Sequence, residues 1–267
     1  MQISVIIPTY NRAHTIVNAI KSIQNQTFPV SEIIIADDAS TDNTNQVLET
    51  IDDDRIKHVR LDKNKGAGGA RNYGVLHASH EMIAFLDSDD VWHPDKIKKQ
   101  IELKEEHENY RLIYSAYMRI MDENSGFILP DMSGSDKLSG DMLSQVLFKN
   151  TVGTPTILME KSLFDEIGGF DEGLRSLEDW DMIIRAAKMT EFGFVPEVLV
   201  DAMYLDDGVT SNLEEYFKSR CRMMQKYRQE YLATETFNKA AENILALAYK
   251  NNVLERVQNM LLQSIST

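Results

Sequence analysis

A buried strand that ends in a cluster of acids constrains this chain more than any other feature. Residues 82–86 form an apolar run, and Asp87, Ser88, Asp89 and Asp90 follow it directly. Such a run is typical of a central strand in a parallel sheet, and open α/β sheets bind ligands at the carboxyl ends of these strands. Crowded carboxylates repel one another unless a cation or a ligand's donors lie among them. The motif therefore predicts a divalent ion that carries phosphate oxygens, with a solvated acidic turn as the simpler alternative.

The first third of the chain alternates strand and helix patterns. Apolar or β-branched runs predict strands at residues 3–7, 32–36, 56–61 and 82–86. After the first run, Ile16, Ala19, Ile20 and Ile23 recur at the helical spacings of three and four. This repetition predicts an α/β fold with a doubly wound, mostly parallel sheet covered on both faces.

The remaining sequence is predicted to extend the sheet and then to become helical. Strands are expected at residues 112–121, 156–159 and 198–204, with a polar hairpin or loop over residues 122–141. Residues 161–167 favour a helix stopped by Gly168 and Gly169. From Ser211 onward the pattern is helical, and its apolar stripe either packs against the parent domain or binds a partner. The stripe consists of Leu247, Leu254, Val257 and Leu261.

Composition narrows the classes of partner. The 267 residues carry a formal net charge of −14, which argues against nucleic acid as a partner. A lone cysteine, Cys221, excludes an intramolecular disulfide and is interpreted as structural or incidental. The N-terminal residues do not resemble a secretory signal, and no apolar run approaches the ~20 residues of a membrane span. We expect a cytoplasmic protein, with peripheral association at the inner face of the cell membrane as an open alternative.

Polar side chains also follow the first two strands. Residues 8–11 offer a rigid turn with an aromatic ring on which a nucleobase could stack, although a plain strand–helix turn is the alternative. At the end of the second strand, one of Asp37 and Asp38 can cap the next helix. The other is then free to accept a hydrogen bond from a base or a ribose.

A glycine-rich turn follows the third strand. Residues 65–69 fit neither the dinucleotide fingerprint nor the Walker pattern, so this turn carries little weight alone. Arg71 is more informative, because it places a cation inside an otherwise acidic pocket. Each strand end has a simple structural explanation by itself, but several such ends at one sheet edge favour a ligand site.

A further pair of acids opens a helix well downstream. Glu178 and Asp179 could be ordinary helix caps, or one of them could be a general base. The adjacent Trp180 could present its ring to a sugar or lie in the core.

With these residues in view, the chain resembles the family 2 inverting glycosyltransferases of the GT-A fold. Six motifs in the family's order carry the resemblance and cover about residues 1–210: IIPTYN at 6–11, ADDASTD at 36–42, GARN at 69–72, FLDSDD at 85–90, GGFD at 168–171 and EDWD at 178–181.

The resemblance implies a nucleotide site. Pro8 (through its backbone), Tyr10 and Asp38 would hold the nucleobase, commonly uracil, with Arg71 alongside. Asp87 would contact the ribose. The neighbouring residues Thr9, Asn11 and Ser88 complete the expected nucleotide contacts.

The resemblance also implies a metal ligand, a base and an acceptor site. Asp89 would ligate Mn²⁺ or Mg²⁺ bound to the diphosphate, and Asp179 would deprotonate the acceptor hydroxyl. Glu178 and Trp180 would shape the acceptor site. Many relatives carry a metal-binding His after the last strand, whereas this chain has no His there, so Asp207 is the candidate substitute.

The implied activity is a metal-dependent transfer of a hexose or N-acetylhexosamine from a UDP-sugar to a glycan hydroxyl. The acceptor could be a surface polysaccharide, a lipid-linked oligosaccharide or a glycoprotein glycan. Two alternatives compete for the same residues: a HAD-type phosphatase, because Asp87 to Val91 fit its Asp-x-Asp-x-Val motif, and a non-catalytic sugar-nucleotide-binding module.

The expected organisation is a GT-A domain over residues 1–210 and a C-terminal helical extension over residues 211–267. Within the GT-A domain, residues 1–110 would form the nucleotide-binding half and residues 111–210 the acceptor-binding half. A homo-oligomer formed through the C-terminal helices is an open alternative.

Overall fold

The apolar runs of the first third form the parallel half of a sheet. The computed structural model describes residues 1–122, 125–133, 137–174, 176–203 and 213–266. Strands β1 (Ile3–Thr9), β2 (Glu32–Asp37), β3 (Ile56–Arg60) and β4 (Met82–Phe85) lie parallel in the order β3-β2-β1-β4. The predicted strands and their parallel pairing are therefore confirmed for this half.

Helices cover both faces of this half-sheet. They are α1 (Ile16–Gln24), α2 (Thr44–Leu48), α3 (Gly66–Leu76) and α4 (Lys96–Glu106). Val5 packs in one apolar cluster with Ile20 of α1, while Ile6 packs in the other with Val75 of α3. Helix α3 approaches β1 closely, because a Cβ atom at Gly74 would lie 2.6 Å from Cγ2 of Ile6. Alternation along β1 thus builds two apolar layers, as a doubly wound sheet requires.

The second half of the sheet is mixed. It contains β5 (Val91–Trp92), β6 (Leu112–Asp122), β7 (Ser125–Leu129), β8 (Leu158–Glu160) and β9 (Phe192–Met203). The order continues β4-β8-β6-β9-β5, and β7 forms the expected hairpin with β6. Strand β8 inserts antiparallel between β4 and β6, whereas β9 lies parallel to β6. The second half of the sheet therefore contains both parallel and antiparallel pairs, whereas the first half is parallel.

Strand β9 begins earlier than its sequence pattern indicates. The prediction began at Val198, but the strand already begins at Phe192. Its ladder with β6 pairs Ser115 with Val195 and Ala116 with Val198, so Pro196 and the next residue fall in a register shift. Because proline has no N–H to donate, such a bulge lets the strand continue past it. The predicted last residue, Tyr204, lies outside the described residues.

The remaining helices pack against the sheet and one another. They are α5 (Leu143–Phe148), α6 (Lys161–Ile167), α7 (Glu178–Ala187), α8 (Leu213–Lys226), α9 (Arg228–Ala233), α10 (Phe237–Lys250) and α11 (Leu254–Ser266). Helix α6 ends at Gly168, whose φ of 81° is the left-handed conformation that favours glycine. No helix in the described ranges combines the length and the apolar character needed to cross a bilayer.

The C-terminal helices share the core of the sheet. Val257 and Leu261 of the predicted apolar stripe are buried in the same cluster as Ile183 of α7 and Phe192 of β9. Leu247 and Leu254 are partly buried against that cluster, so the stripe packs within the molecule. Cys221 of α8 is also buried there, and burial raises the pKa of its thiol to about 11, as suits a structural cysteine.

Candidate active site

The ends of β1 and β2 are joined into one rigid edge. The carbonyl of Thr9 accepts the N–H of Asp38 at 2.8 Å, directly beyond the last paired residues of the two strands. Asn11 has a left-handed φ of 53°, and its Oδ1 accepts the N–H of Thr41 at 2.7 Å. The ring of Tyr10 is 43% exposed on this edge, and Pro8 is buried in the strand. The turn therefore offers an accessible aromatic ring on a fixed backbone.

The two acids at the end of β2 have separate tasks. Asp37 is fully buried, accepts the N–H of Ser40 at 2.8 Å and pairs with Arg60. Asp38 accepts the N–H groups of Lys65 and Gly66 at 2.7 and 2.8 Å, at the start of α3. Burial raises the pKa of Asp38, and these two amides oppose the rise. Asp37 is the structural acid of the pair, and Asp38 ties the edge of the sheet to α3.

Arg71 joins the two halves of the site. Its Nη2 donates to Oδ1 of Asp87 at 2.6 Å, and its Nη1 donates to Oε1 of Glu178 at 3.2 Å. The guanidinium is buried and lies 5.3 Å from the ring centroid of Phe170. Burial alone would lower the pKa of Arg71, but Asp87 and Glu178 raise it above its usual value. A buried cation thus holds together two acids that are distant in sequence.

Each carboxylate after β4 has its own counterpart. Asp87 faces Arg71, and Oδ2 of Asp89 lies 3.9 Å from Nε of Arg12. Asp90 is buried and accepts the N–H of Met203 at 2.9 Å, so it anchors the end of β9. Burial, with Asp87 and Asp89 nearby, raises the pKa of Asp90 well above its usual value. These partners within the protein therefore offset part of the repulsion among the carboxylates that the sequence indicated.

A metal bound to a diphosphate fits the partly exposed acids. Asp87 and Asp89 are both partly exposed, while Ser88 between them is buried. Magnesium is commonly held by one or two carboxylates plus substrate phosphates. Over the described parts of the chain, no three His, Cys, Asp or Glu side chains are placed to hold an ion by themselves. The other candidate ligand, Asp207, lies outside the described residues.

Asp179 occupies the first turn of α7 beside the Arg71 bridge. It is half-buried, and its Oδ2 accepts the side-chain N–H of Asn150 at 3.2 Å. Burial raises the pKa of Asp179; the Asn150 hydrogen bond and the charge of Arg71 oppose that rise, and Asp87 adds to it. Asp179 thus lies within electrostatic reach of Asp87. An acid with a raised pKa next to a cation is suited to general-base chemistry.

Glu178 shares this environment. Its pKa is raised by burial and by Asp179, while Arg71 opposes the rise. The helix of Arg71 packs closely against it, because a Cβ atom at Gly68 would lie 3.0 Å from Cγ of Glu178. Glu178, the first residue of α7, is therefore packed against α3, next to the candidate base.

Trp180 corrects the expectation of an acceptor platform. Its side chain is 5% exposed, its indole N–H donates to the carbonyl of Val146, and the guanidinium of Arg220 lies 3.8 Å from its ring centroid. Consecutive helical residues point in different directions, so Asp179 remains partly exposed while Trp180 points into the core. The ring is covered and supports α7.

Several residues at the site were absent from the sequence-based list. Arg12 follows the first motif directly, and its charge could have marked it as a partner for Asp89. Asn150 and Arg220 lie outside the six motifs, and no local pattern marks them. The predicted nucleotide, metal and acceptor contacts of the remaining site residues stay predictions.

Comparison with known proteins gives a consistent result. The model of the family described as glycosyl transferase family 2 matches residues 4–167. An uncharacterized glycosyltransferase of Rickettsia conorii is 38% identical over 199 residues, which are 74% of this chain and 32% of that protein. The chain thus spans about a third of the length of that relative.

A relative with a more specific name comes from Escherichia coli. It is the UDP-Glc:α-D-GlcNAc-diphosphoundecaprenol β-1,3-glucosyltransferase WfgD, 35% identical over 167 residues, 61% of this chain and 62% of WfgD.

Solved structures share the fold. TarS of Staphylococcus aureus in complex with UDP-GlcNAc aligns with a TM-score of 0.80 at 21% identity, over 99% of this chain and 79% of the TarS chain. The mannosyltransferase PcManGT of Pyrobaculum calidifontis, in complex with GDP-Man and Mn²⁺, aligns with a TM-score of 0.67 at 18% identity, over 99% and 79% of the two chains. The expected GT-A fold is confirmed.

Proposed function

The chain belongs to glycosyl transferase family 2, and on this premise we propose that it is an inverting, metal-dependent glycosyltransferase. The proposed reaction moves a hexose or N-acetylhexosamine from a UDP-sugar to a hydroxyl of a glycan acceptor. The observation that carries the proposal is the bridge from Asp87 through Arg71 to Glu178, with Asp179 beside it. This bridge supports the proposal because it links Asp87, the proposed nucleotide ligand, to the helix that carries Asp179, the proposed base.

The proposed chemistry is a single in-line displacement at the anomeric carbon of the donor sugar. The bond from this carbon to the acceptor oxygen forms while the bond to the diphosphate oxygen breaks, which inverts the configuration. Asp179 takes the proton of the acceptor hydroxyl, and the nucleoside diphosphate leaves with the bonding electron pair. Glu178 and Arg71 fix the position of Asp179's helix relative to Asp87.

The other residues bind and orient the donor. Tyr10 stacks on the nucleobase, Asp38 accepts from its edge, and Asp87 contacts the ribose. Asp89 and Asp207 would hold the Mn²⁺ or Mg²⁺ that accompanies the diphosphate. When bound, this metal stabilises the negative charge that develops on the leaving diphosphate.

The named relatives support the choice of substrates without fixing them. WfgD is named for UDP-Glc as donor and a diphosphoundecaprenol-linked GlcNAc as acceptor. The TarS structure contains UDP-GlcNAc, whereas the PcManGT structure contains GDP-Man and Mn²⁺. We therefore place uridine donors first, guanosine donors second, and a lipid-linked oligosaccharide first among the acceptors.

Neither alternative activity is favoured by a specific observation. In this sheet the acidic motif follows the fourth strand along the chain. The HAD-type reading has its nucleophile on the first strand of the core. A non-catalytic module would have no catalytic reason to keep Asp179 hydrogen-bonded to Asn150 beside the Arg71 bridge.

The decisive experiment is a calorimetric screen of UDP, GDP and their sugars with and without Mn²⁺, followed by an assay for nucleoside diphosphate release. We expect Mn²⁺-dependent UDP binding, and UDP release that requires an acceptor such as a GlcNAc-diphosphate lipid analogue. Phosphate release from simple phosphomonoesters would instead support the phosphatase, and UDP binding without turnover across a broad acceptor panel would support the binding module.

A further inference from the structure

Arg220, on helix α8, is a fully buried cation in contact with two parts of the site. Its Nη1 donates to the hydroxyl of Tyr231 at 3.0 Å, and its Nη2 donates to the carbonyls of Leu147 and Phe148 at 3.4 and 3.1 Å. Its guanidinium lies over the ring of Trp180 at 3.8 Å. Among the described residues no carboxylate pairs with Arg220, so carbonyls, a hydroxyl and an indole face offset part of the cost of its burial, while its buried Nε has no hydrogen-bond partner among them.

The first route from Arg220 to the base passes through the end of α5. The last carbonyls of a helix have no partner within it, and Arg220 bonds two of them, those of Leu147 and Phe148. Tyr231 adds a further hydrogen bond to the Leu147 carbonyl at 2.9 Å. The chain leaves this fixed end and reaches Asn150 two residues after Phe148. Arg220 therefore bonds the helix end from which the chain leads to Asn150, the residue that donates to Asp179.

The second route passes through the first turn of α7. The guanidinium covers the ring of Trp180, the residue next to Asp179, and the indole N–H is bonded to Val146 of α5. Arg220 therefore contacts α7, which carries the acceptor Asp179, and the end of α5, which leads to the donor Asn150.

A neighbouring contact shows that α8 braces α7 at more than one point. Asp181 is fully buried and pairs with Lys226 at 2.7 Å, while the hydroxyl of Tyr227 donates to it at 2.6 Å. The hydrogen bonds of Lys226 go to Asp171 and Asp181 and that of Tyr227 goes to Asp181, so these residues hold the same turn of α7. Arg220 is distinguished by joining both sides of the base.

We propose that Arg220 is a positioning residue for the base: by capping α5 and covering Trp180, it holds Asn150 and Asp179 at hydrogen-bonding distance. The inference rests on the proposed function, because it assigns Arg220 a role through Asp179. It also gives the C-terminal helices a part in the reaction, although they lie beyond the residues matched by the family model.

The test compares Arg220→Met and Arg220→Lys with a matched control. Lys96→Met removes another buried basic side chain, which lies 4.0 Å over the ring of the other tryptophan, Trp92, on the nucleotide side. For Arg220→Met we expect kcat to fall about tenfold, the Kd for UDP with Mn²⁺ to change less than about twofold, and the acidic limb of the kcat profile to move to higher pH. Arg220→Lys should recover part of both effects, because lysine keeps a cation but loses the fork that bonds two carbonyls.

A purely structural role predicts a different result. Both methionine variants would then lose thermal stability, and neither would move the pH midpoint. An unchanged midpoint in folded Arg220→Met, or an equal shift in Lys96→Met, overturns the proposal. If Arg220→Met does not fold, Arg220→Lys and Tyr231→Phe carry the test, and wild-type midpoints in both overturn it.

A readout that needs no turnover separates this inference from the proposed function. The chain has two tryptophans, so Trp92→Phe leaves Trp180 as the reporter beside Asp179. The fluorescence emission of Trp180 should change with pH. The midpoint of this change should disappear in Asp179→Asn and move to higher pH in Arg220→Met. A protein that releases no nucleoside diphosphate yet shows this shift contradicts the proposed function alone; an active protein without the shift contradicts the role of Arg220 alone.

Discussion

The proposed nucleotide side and the proposed acceptor side of the candidate site are built in different ways. On the nucleotide side, backbone groups next to parallel strands fix the acids: Asp38 is held by the amides of Lys65 and Gly66, and Asp37 by that of Ser40. On the acceptor side, Asp179 is held by the side chain of Asn150, and its helix by Arg220. One side is thus preset by sheet topology, while the other depends on side-chain contacts between distant segments.

This difference predicts which substitutions separate binding from chemistry. Changes on the acceptor side should lower turnover and spare nucleotide binding, because Asn150 and Arg220 contact Asp179, Trp180 and the end of α5. Changes on the nucleotide side should weaken binding first. Arg71 is the exception, because it contacts an acid from each side.

The largest expected effect is that of Asp179→Asn. The amide keeps the size of the side chain but cannot take a proton, so turnover should fall by ~10²–10⁴-fold, the usual contribution of a positioned general base. UDP binding with Mn²⁺ should stay at the wild-type value in calorimetry. Wild-type turnover in a variant that still binds donor would remove Asp179 from the mechanism.

Asp89→Ala should have the opposite pattern and weaken UDP binding first. Without this carboxylate, Mn²⁺-dependent UDP affinity should fall at least about tenfold, which corresponds to ~1.4 kcal/mol. Asp52→Ala, which removes an exposed acid outside the site, is the matched control. Equal UDP affinity in the variant and the wild type, with and without Mn²⁺, contradicts the metal role of Asp89.

The sequence was most informative about the nucleotide side. Parallel strands deliver their last residues to one edge, so apolar runs followed by Asp37, Asp38 and Asp87 were sufficient to place those acids together. The same pattern could not show that Asp37 is enclosed by Arg60 and Ser40 while Asp38 bonds the start of α3. That outcome depends on the loop conformations.

The acceptor side was only partly accessible from the sequence. The first turn of α7 was expected, but helical periodicity did not indicate that Trp180 faces the core and Asp179 the cleft. Asn150 and Arg220 carry no motif, because their roles arise from tertiary contacts with α7. Strand β9 was also underestimated, since a register shift at Pro196 hides its first residues.

Asn150→Ala tests whether a side-chain contact tunes the base. Removing a donor that favours the charged form should raise the pKa of Asp179 further, so the acidic limb of the kcat profile should move to higher pH. Activity should fall several-fold below the new midpoint and recover above it. Asn109→Ala removes an amide that donates to Glu191 outside the site and serves as the control. An unmoved limb in Asn150→Ala would mean that the hydrogen bond does not set the ionisation of the base.

The smallest expected effect concerns stability at the junction of the two sides. The raised pKa of Asp90 means that the folded protein binds this proton more tightly than the unfolded chain. Its contribution to stability is therefore greatest below the unfolded value of about 4 and is lost as pH rises through the folded value. Asp90→Asn keeps an acceptor for the Met203 N–H without the buried charge, so it should raise the unfolding free energy at pH 7 by ~1 kcal/mol.

Asp53→Asn should act in the opposite direction, because its hydrogen bonds with Arg55 hold the pKa of Asp53 well below its usual range. That stability is present above the unfolded pKa and lost as pH falls toward the folded one. Denaturant unfolding at several pH values measures the free energy of unfolding of both variants. A loss of stability at pH 7 in both would show that the folded protein needs Asp90 as an anion.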